Sequence, residues 1–178
     1  KDHELLLIGT KTKSIIAKNL PQANLVFLID VSGSMGTPNK LPLVKESLNL
    51  LVDQMREQDL ISIVVYAGSS GLALPPTSGK EKTKIKNTIN LLESGGSTAG
   101  GAGIELAYKT AIENFKTNGN NRVILATDGD FNVGISNEND LERLIEDKRK
   151  SGVFLTCLGF GMGNYKDSKL EILADKGN

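Results

Sequence analysis

Leu25-Val26-Phe27-Leu28-Ile29-Asp30-Val31-Ser32-Gly33-Ser34 is the stretch on which the fold turns. The residues from Leu25 to Ile29 are all apolar, and the run ends on a carboxylate. Apolar side chains at every position, rather than every second one, fit a strand buried on both faces, as in a parallel sheet covered by helices. The same arrangement returns at Arg122-Val123-Ile124-Leu125-Ala126, which ends at Thr127-Asp128-Gly129. Two buried strands that each stop at an aspartate predict two loops of related purpose.

The segments between them alternate. Val44, Leu48, Leu51, Val52 and Met55 fall at helical spacing. Leu60 to Tyr66 predicts a second strand, and Gly71 to Leu74 a third, stopped by Pro75-Pro76. Ile85, Ile89 and Leu92 mark a second helix. A glycine-rich loop from Gly95 to Gly103 leads into a third helix, marked by Ile104, Ala107, Tyr108, Ala111 and Phe115. Leu141, Leu144 and Ile145 give a fourth, ended near Gly152. Val153 to Gly159 predicts a fifth strand. Leu170, Leu173 and Ala174 begin a last helix with Gly177 as its C-cap. This alternation predicts an α/β, doubly wound, mostly parallel sheet with helices on both faces.

Residues 1–23 read separately, as an N-terminal hairpin at the sheet edge. Leu5-Leu6-Leu7-Ile8 and Ile15-Ile16-Ala17 are its strands, and Pro21 breaks the chain before the main domain, 24–178. The architecture would ordinarily continue with another strand and helix. The expectation is therefore a domain truncated at its C-terminus, with an exposed edge after the fifth strand. The chain begins at Lys1, without Met or a signal sequence, as an excised piece would.

Composition narrows the function classes. The 178 residues carry 21 Lys+Arg and 21 Asp+Glu, so the basic surplus of a nucleic-acid binder is missing. No stretch approaches the roughly 20 apolar residues of a membrane span. The single cysteine, Cys157, excludes an internal disulfide and reads as an inert thiol in the fifth strand.

In open α/β sheets, ligands bind beyond the carboxyl ends of the strands, where strand order reverses. With strand order 3-2-1-4-5, the loops after Asp30 and after Thr127 open into one crevice. Asp30-Val31-Ser32-Gly33-Ser34 sets two hydroxyls two and four residues after a carboxylate, and Gly33 lets the loop turn tightly. All these donors are oxygen, which suits a hard divalent cation: Mg²⁺ first, Ca²⁺ or Mn²⁺ otherwise. Each loop alone would pass for a turn. Their order and their positions at strand ends give them a shared meaning.

Asp30-Val31-Ser32-Gly33-Ser34-Met35 resembles the first metal-site segment of von Willebrand factor type A domains. Gly96-Ser97-Thr98 is similar to the second segment and Thr127-Asp128-Gly129 to the third. Within the family the chain most resembles bacterial envelope-associated members. The resemblance implies a Rossmann-like fold and a metal-ion-dependent adhesion site. Ser32 and Ser34 would be direct ligands, Asp30 and Asp128 ligands directly or through water, and Thr98 would switch between the two. It also implies a compartment, the cell envelope: periplasmic or surface-exposed, with any membrane anchor upstream.

Five protein oxygens leave about one position of an octahedral Mg²⁺ for an outside ligand. The expected function is metal-dependent protein binding, with a partner's Asp or Glu carboxylate completing the shell. Met35, Asp130 and Phe131 are the expected contact residues around it; the alternative for Met35 and Phe131 is that they tuck under their own loops. The alternative is a Mg²⁺-dependent hydrolase or phosphotransferase using the same site. It lacks a general acid, because Ser32 stands where D-x-D-x-T phosphatases carry the second Asp. The only histidine is His3, and no G-x-S-x-G surrounds Ser32 or Ser34. A nucleotide site is weaker still, since Gly95 to Gly103 lacks Gly-Lys-Ser/Thr.

Overall fold

The computed structural model describes residues 20–67, 70–95, 101–129, 138–162 and 167–178. Residues 1–19, and with them the expected N-terminal hairpin, lie outside the described residues. Strand β1 is Ala23–Asp30, followed by a 3-10 turn at Gly33–Gly36 and helix α1 at Leu41–Gln54. Next come β2 (Leu60–Tyr66), β3 (Ser70–Ser78), α2 (Lys82–Asn90) and α3 (Gly101–Glu113). The chain continues through β4 (Asn120–Thr127), α4 (Glu138–Arg149), β5 (Phe154–Gly159) and α5 (Asp167–Gly177).

The five strands lie in the order β3-β2-β1-β4-β5. β1 pairs in parallel with both β2 and β4, and β4 with β5. Successive residues of β1 point to opposite faces, so its apolar run feeds two separate layers. Leu25, Phe27 and Ile29 join Val44, Leu48 and Val52 of α1 and Ile85 and Ile89 of α2. Val26 and Leu28 join Ile104, Ala107, Tyr108 and Ala111 of α3, with Ile145 of α4 and Leu170 and Leu173 of α5. Burial on both faces is the physical reason for the unbroken apolar run, as expected of a doubly wound sheet.

Two details correct the expectations from sequence. β3 does not stop at Pro75-Pro76 but runs on to Ser78, antiparallel to β2. It is an edge strand, and its register slips between Ile63↔Leu74 and Ile61↔Thr77, so both prolines fall in a bulge where no ladder N–H is needed. Gly177 lies within α5 rather than beyond it. A Cβ there would sit 2.5 Å from Leu155 Cβ, so this glycine allows α5 to lie close against β5. Among the described residues β5 forms the other sheet edge, and no helix is long and apolar enough to cross a membrane.

Candidate metal centre

β1 and β4 are neighbours whose last paired residues are Ile29 and Ala126. Asp30 therefore ends one strand beside Thr127 and Asp128 at the end of the next. Asp30 and Thr127 are fully buried, Ser32 and Asp128 nearly so, and Ser34 is exposed. The cluster is polar, set into the end of an apolar sheet, and open to solvent on the Ser34 side.

Its internal hydrogen bonds hold it in shape. The Ser32 N–H donates to Asp30 Oδ1 (2.9 Å), and the Thr127 hydroxyl donates to Asp30 Oδ2 (3.1 Å). The Ser32 and Ser34 hydroxyls lie 3.0 Å apart. One residue, Gly33, separates them in the D-x-S-x-S segment, and the 3-10 turn curls the second hydroxyl back toward the first. The Gly129 N–H donates to Thr127 Oγ1 at 3.3 Å, with Gly129 at φ 92°, a backbone conformation that favours glycine. The Gly95 N–H donates to Val31 O (2.7 Å), tying the start of the glycine-rich stretch to the first segment.

Burial pushes the Asp30 carboxyl above its ordinary range, hydrogen bonds from Ser32 and Thr127 oppose this, and the charge of Asp128 adds to it. Two neighbouring carboxylates outnumber the one ammonium, that of Lys40, that the described residues bring to them. Two carboxylates and a pair of hydroxyls, all oxygen, fit a hard divalent cation. Among the described residues, no three of His, Cys, Asp and Glu gather into a metal-binding group. Half the described donors here are serine hydroxyls, so a cluster defined by charge alone does not capture this arrangement.

Asp30, Ser32, Ser34 and Asp128 are thus brought together. Thr98, Asp130 and Phe131 lie outside the described residues. Met35 is not an exposed contact. It is fully buried and packs into the layer beneath α1, because the 3-10 turn directs it inward. Three residues join the site that motif reading had not singled out. Thr127 was visible only as part of a turn. Tyr66 ends β2 in register with Asp30. Its fully buried phenol is held well above its ordinary range, first by burial and then by the charge of Asp30. Lys40 reaches in from just before α1, its ammonium donating to Asp128 Oδ2 (2.9 Å) and to Ser34 O (3.0 Å). Only a tertiary contact joins Lys40 to a residue 88 positions away, and no local pattern announces it.

The family model of the von Willebrand factor type A domain matches residues 24–178. The chain is 49% identical over 174 residues to uncharacterized protein YfbK of Escherichia coli (strain K12). That match covers 98% of this chain but 30% of the relative, so the chain spans under a third of that protein. Proximal thread matrix protein 1 from the mussel byssus, solved with a zinc-occupied MIDAS motif, superposes with a TM-score of 0.70 at 27% identity. It covers 87% of this chain and 39% of that one. An aerotolerance-related membrane protein from Bacteroides fragilis superposes with a TM-score of 0.68 at 20% identity, covering 87% and 88%, a likeness of fold alone. The chain belongs to the von Willebrand factor type A domain family.

Proposed function

We propose that this domain binds a partner protein through a divalent cation, Mg²⁺ by preference, held by Asp30, Ser32, Ser34, Thr98 and Asp128. One observation carries the reading. Two carboxylates end neighbouring strands, one fully and one almost fully buried, and the first is hydrogen-bonded into a loop whose two serine hydroxyls lie 3.0 Å apart. Neutral hydroxyls donate less charge to a cation than carboxylates do. A divalent ion bound there supplies an open coordination position and unspent positive charge, which a partner's Asp or Glu carboxylate satisfies. The mussel protein's zinc-occupied motif supports a divalent ion in this family's site.

The contact surface around the cation consists, in this reading, of Asp130 and Phe131 together with Met162. Met162 follows β5 on the same end of the sheet and is 86% exposed. An exposed apolar side chain beside a charged anchor excludes water from the contact. An enzymatic reading finds less support. Burial pushes the Cys157 thiol up to about 12, which disarms it as a nucleophile. The cell envelope is the compartment we propose, on the chain's resemblance to bacterial envelope-associated members of the family.

The test is capture by the immobilised domain in Mg²⁺ against EDTA, with Asp128→Ala alongside. The partner is expected to be retained in Mg²⁺ and lost in EDTA and with Asp128→Ala. Met162→Ser should weaken capture while leaving Mg²⁺ affinity unchanged. Capture that persists unchanged in EDTA would refute the reading.

A further inference from the structure

We infer that Lys40 is a resident counter-charge of this site: it lowers the site's affinity for the divalent ion and makes the loaded site net positive, so that ion and acidic ligand bind cooperatively. The inference rests on the metal-binding reading above.

Lys40 is not a wandering surface lysine. Its N–H donates to Thr37 O and its carbonyl accepts from the Val44 N–H, which fixes its backbone at the start of α1. Its ammonium bridges the first and third site segments through Ser34 O and Asp128 Oδ2. Its stem runs beneath Gly161, where a Cβ would lie only 2.8 Å from Lys40 Cε. Gly161 also has φ 103°, so a side chain there is disfavoured twice over. The pair is sheltered, with 18% of the Lys40 side chain and 6% of that of Asp128 exposed. Salt therefore screens it less than an ordinary surface ion pair.

Charge counting gives the consequence. Among the described residues, Asp30, Asp128 and Lys40 together carry a single negative charge when the crevice holds no ion. A divalent ion turns that into a single positive charge. The lysine thus opposes loading of the ion and, once the ion is loaded, favours one further carboxylate. Ion and carboxylate then raise each other's affinity, as linkage requires. With the ion absent, Lys40 offsets the repulsion between Asp30 and Asp128.

Calorimetric titration of Mg²⁺ and Mn²⁺ into the wild type, Lys40→Gln and Lys40→Met tests this. Each titration is run in sodium acetate, a minimal carboxylate, and in sodium chloride at equal ionic strength. Both variants should bind the ion more tightly in chloride, by about tenfold. The gain should be alike for the neutral polar and the neutral apolar replacement, because it follows the lost charge, whereas a purely structural role would weaken ion binding. Acetate should raise wild-type ion affinity more than that of either variant, and both variants should melt below wild type in EDTA. Equal or weaker ion binding by both variants, with wild type binding normally, would mean that Lys40 only positions Asp128, and the inference would fall alone. If neither wild type nor variants bind any divalent ion, the metal reading falls and this inference with it.

Discussion

At the scale of residues, two aspartates show opposite uses of burial. Asp59 sits at the end of the sheet remote from the site. It accepts hydrogen bonds from the Ala23 N–H (2.9 Å), the Arg56 N–H (2.9 Å) and the Arg56 guanidinium (2.7 and 3.0 Å). Burial alone would raise its carboxyl, but these bonds and the Arg56 charge outweigh it, and the net displacement is downward. A carboxylate depressed in the folded state stabilises fully above its unfolded pKa, and that contribution is lost as pH falls through the lower folded value. Asp59→Ala should therefore cost roughly 2 kcal/mol at neutral pH, leaving two backbone N–H groups without their acceptor. It should also flatten the fall in stability below about pH 4. Urea denaturation across a pH series reads both, and an unchanged acid limb would contradict this. Asp30, by contrast, is buried beside another negative charge and displaced upward. The sequence made Asp30, Ser32, Ser34 and Asp128 legible because their meaning lies in local spacing and in position at strand ends. Lys40 and Tyr66 were illegible because their roles depend on which strands become neighbours. Met35 takes the alternative place, under its own loop, because the 3-10 turn, which strand periodicity cannot foresee, turns it into the core.

At the scale of elements, the helix that follows the glycine-rich loop is set by one close approach. A Cβ on Gly103 of α3 would lie 3.0 Å from Tyr66 Cβ and 3.1 Å from Leu28 Cδ1. The Leu28 methyl can shift, but Tyr66 Cβ is fixed to a buried strand. Gly103→Ala would gain about 1 kcal/mol in helix propensity. Overpacking should more than cancel that, for a net loss of about 1 kcal/mol, and Gly103→Val should lose more. Chemical denaturation of the two variants checks the order, and a stabilised Gly103→Ala would contradict it. The sequence announced α3 through its apolar spacing, yet the glycine's task was hidden in tertiary packing. The same holds for Gly177 against Leu155, and for the prolines of β3, which are tolerated because the strand lies at an edge and bulges. The alternation of buried strands and amphipathic helices announced the two covered faces, while the strand order was only supposed in advance and is the one observed.

At the scale of the whole molecule, the doubly wound sheet brings the ends of β1 and β4 side by side with solvent beyond them. Helices pack on both faces of that sheet, and the two carboxylates lie at the ends of its two inner neighbouring strands. We propose that this arrangement is an ion site whose need for positive charge Lys40 meets only in part. Thermal melts of wild type and Asp30→Asn, in EDTA and in Mg²⁺, Mn²⁺ or Ca²⁺, test it most directly. In EDTA, Asp30→Asn should melt at or above wild type, because a buried charge facing Asp128 is gone while the isosteric amide keeps the Ser32 N–H contact. With ion at ten times its Kd, wild type should gain about 1.4 kcal/mol, a rise of a few degrees, and Asp30→Asn should gain little or nothing. A wild-type melting temperature indifferent to all three ions up to millimolar levels, or an Asp30→Asn variant that responds as wild type does, would contradict the claim.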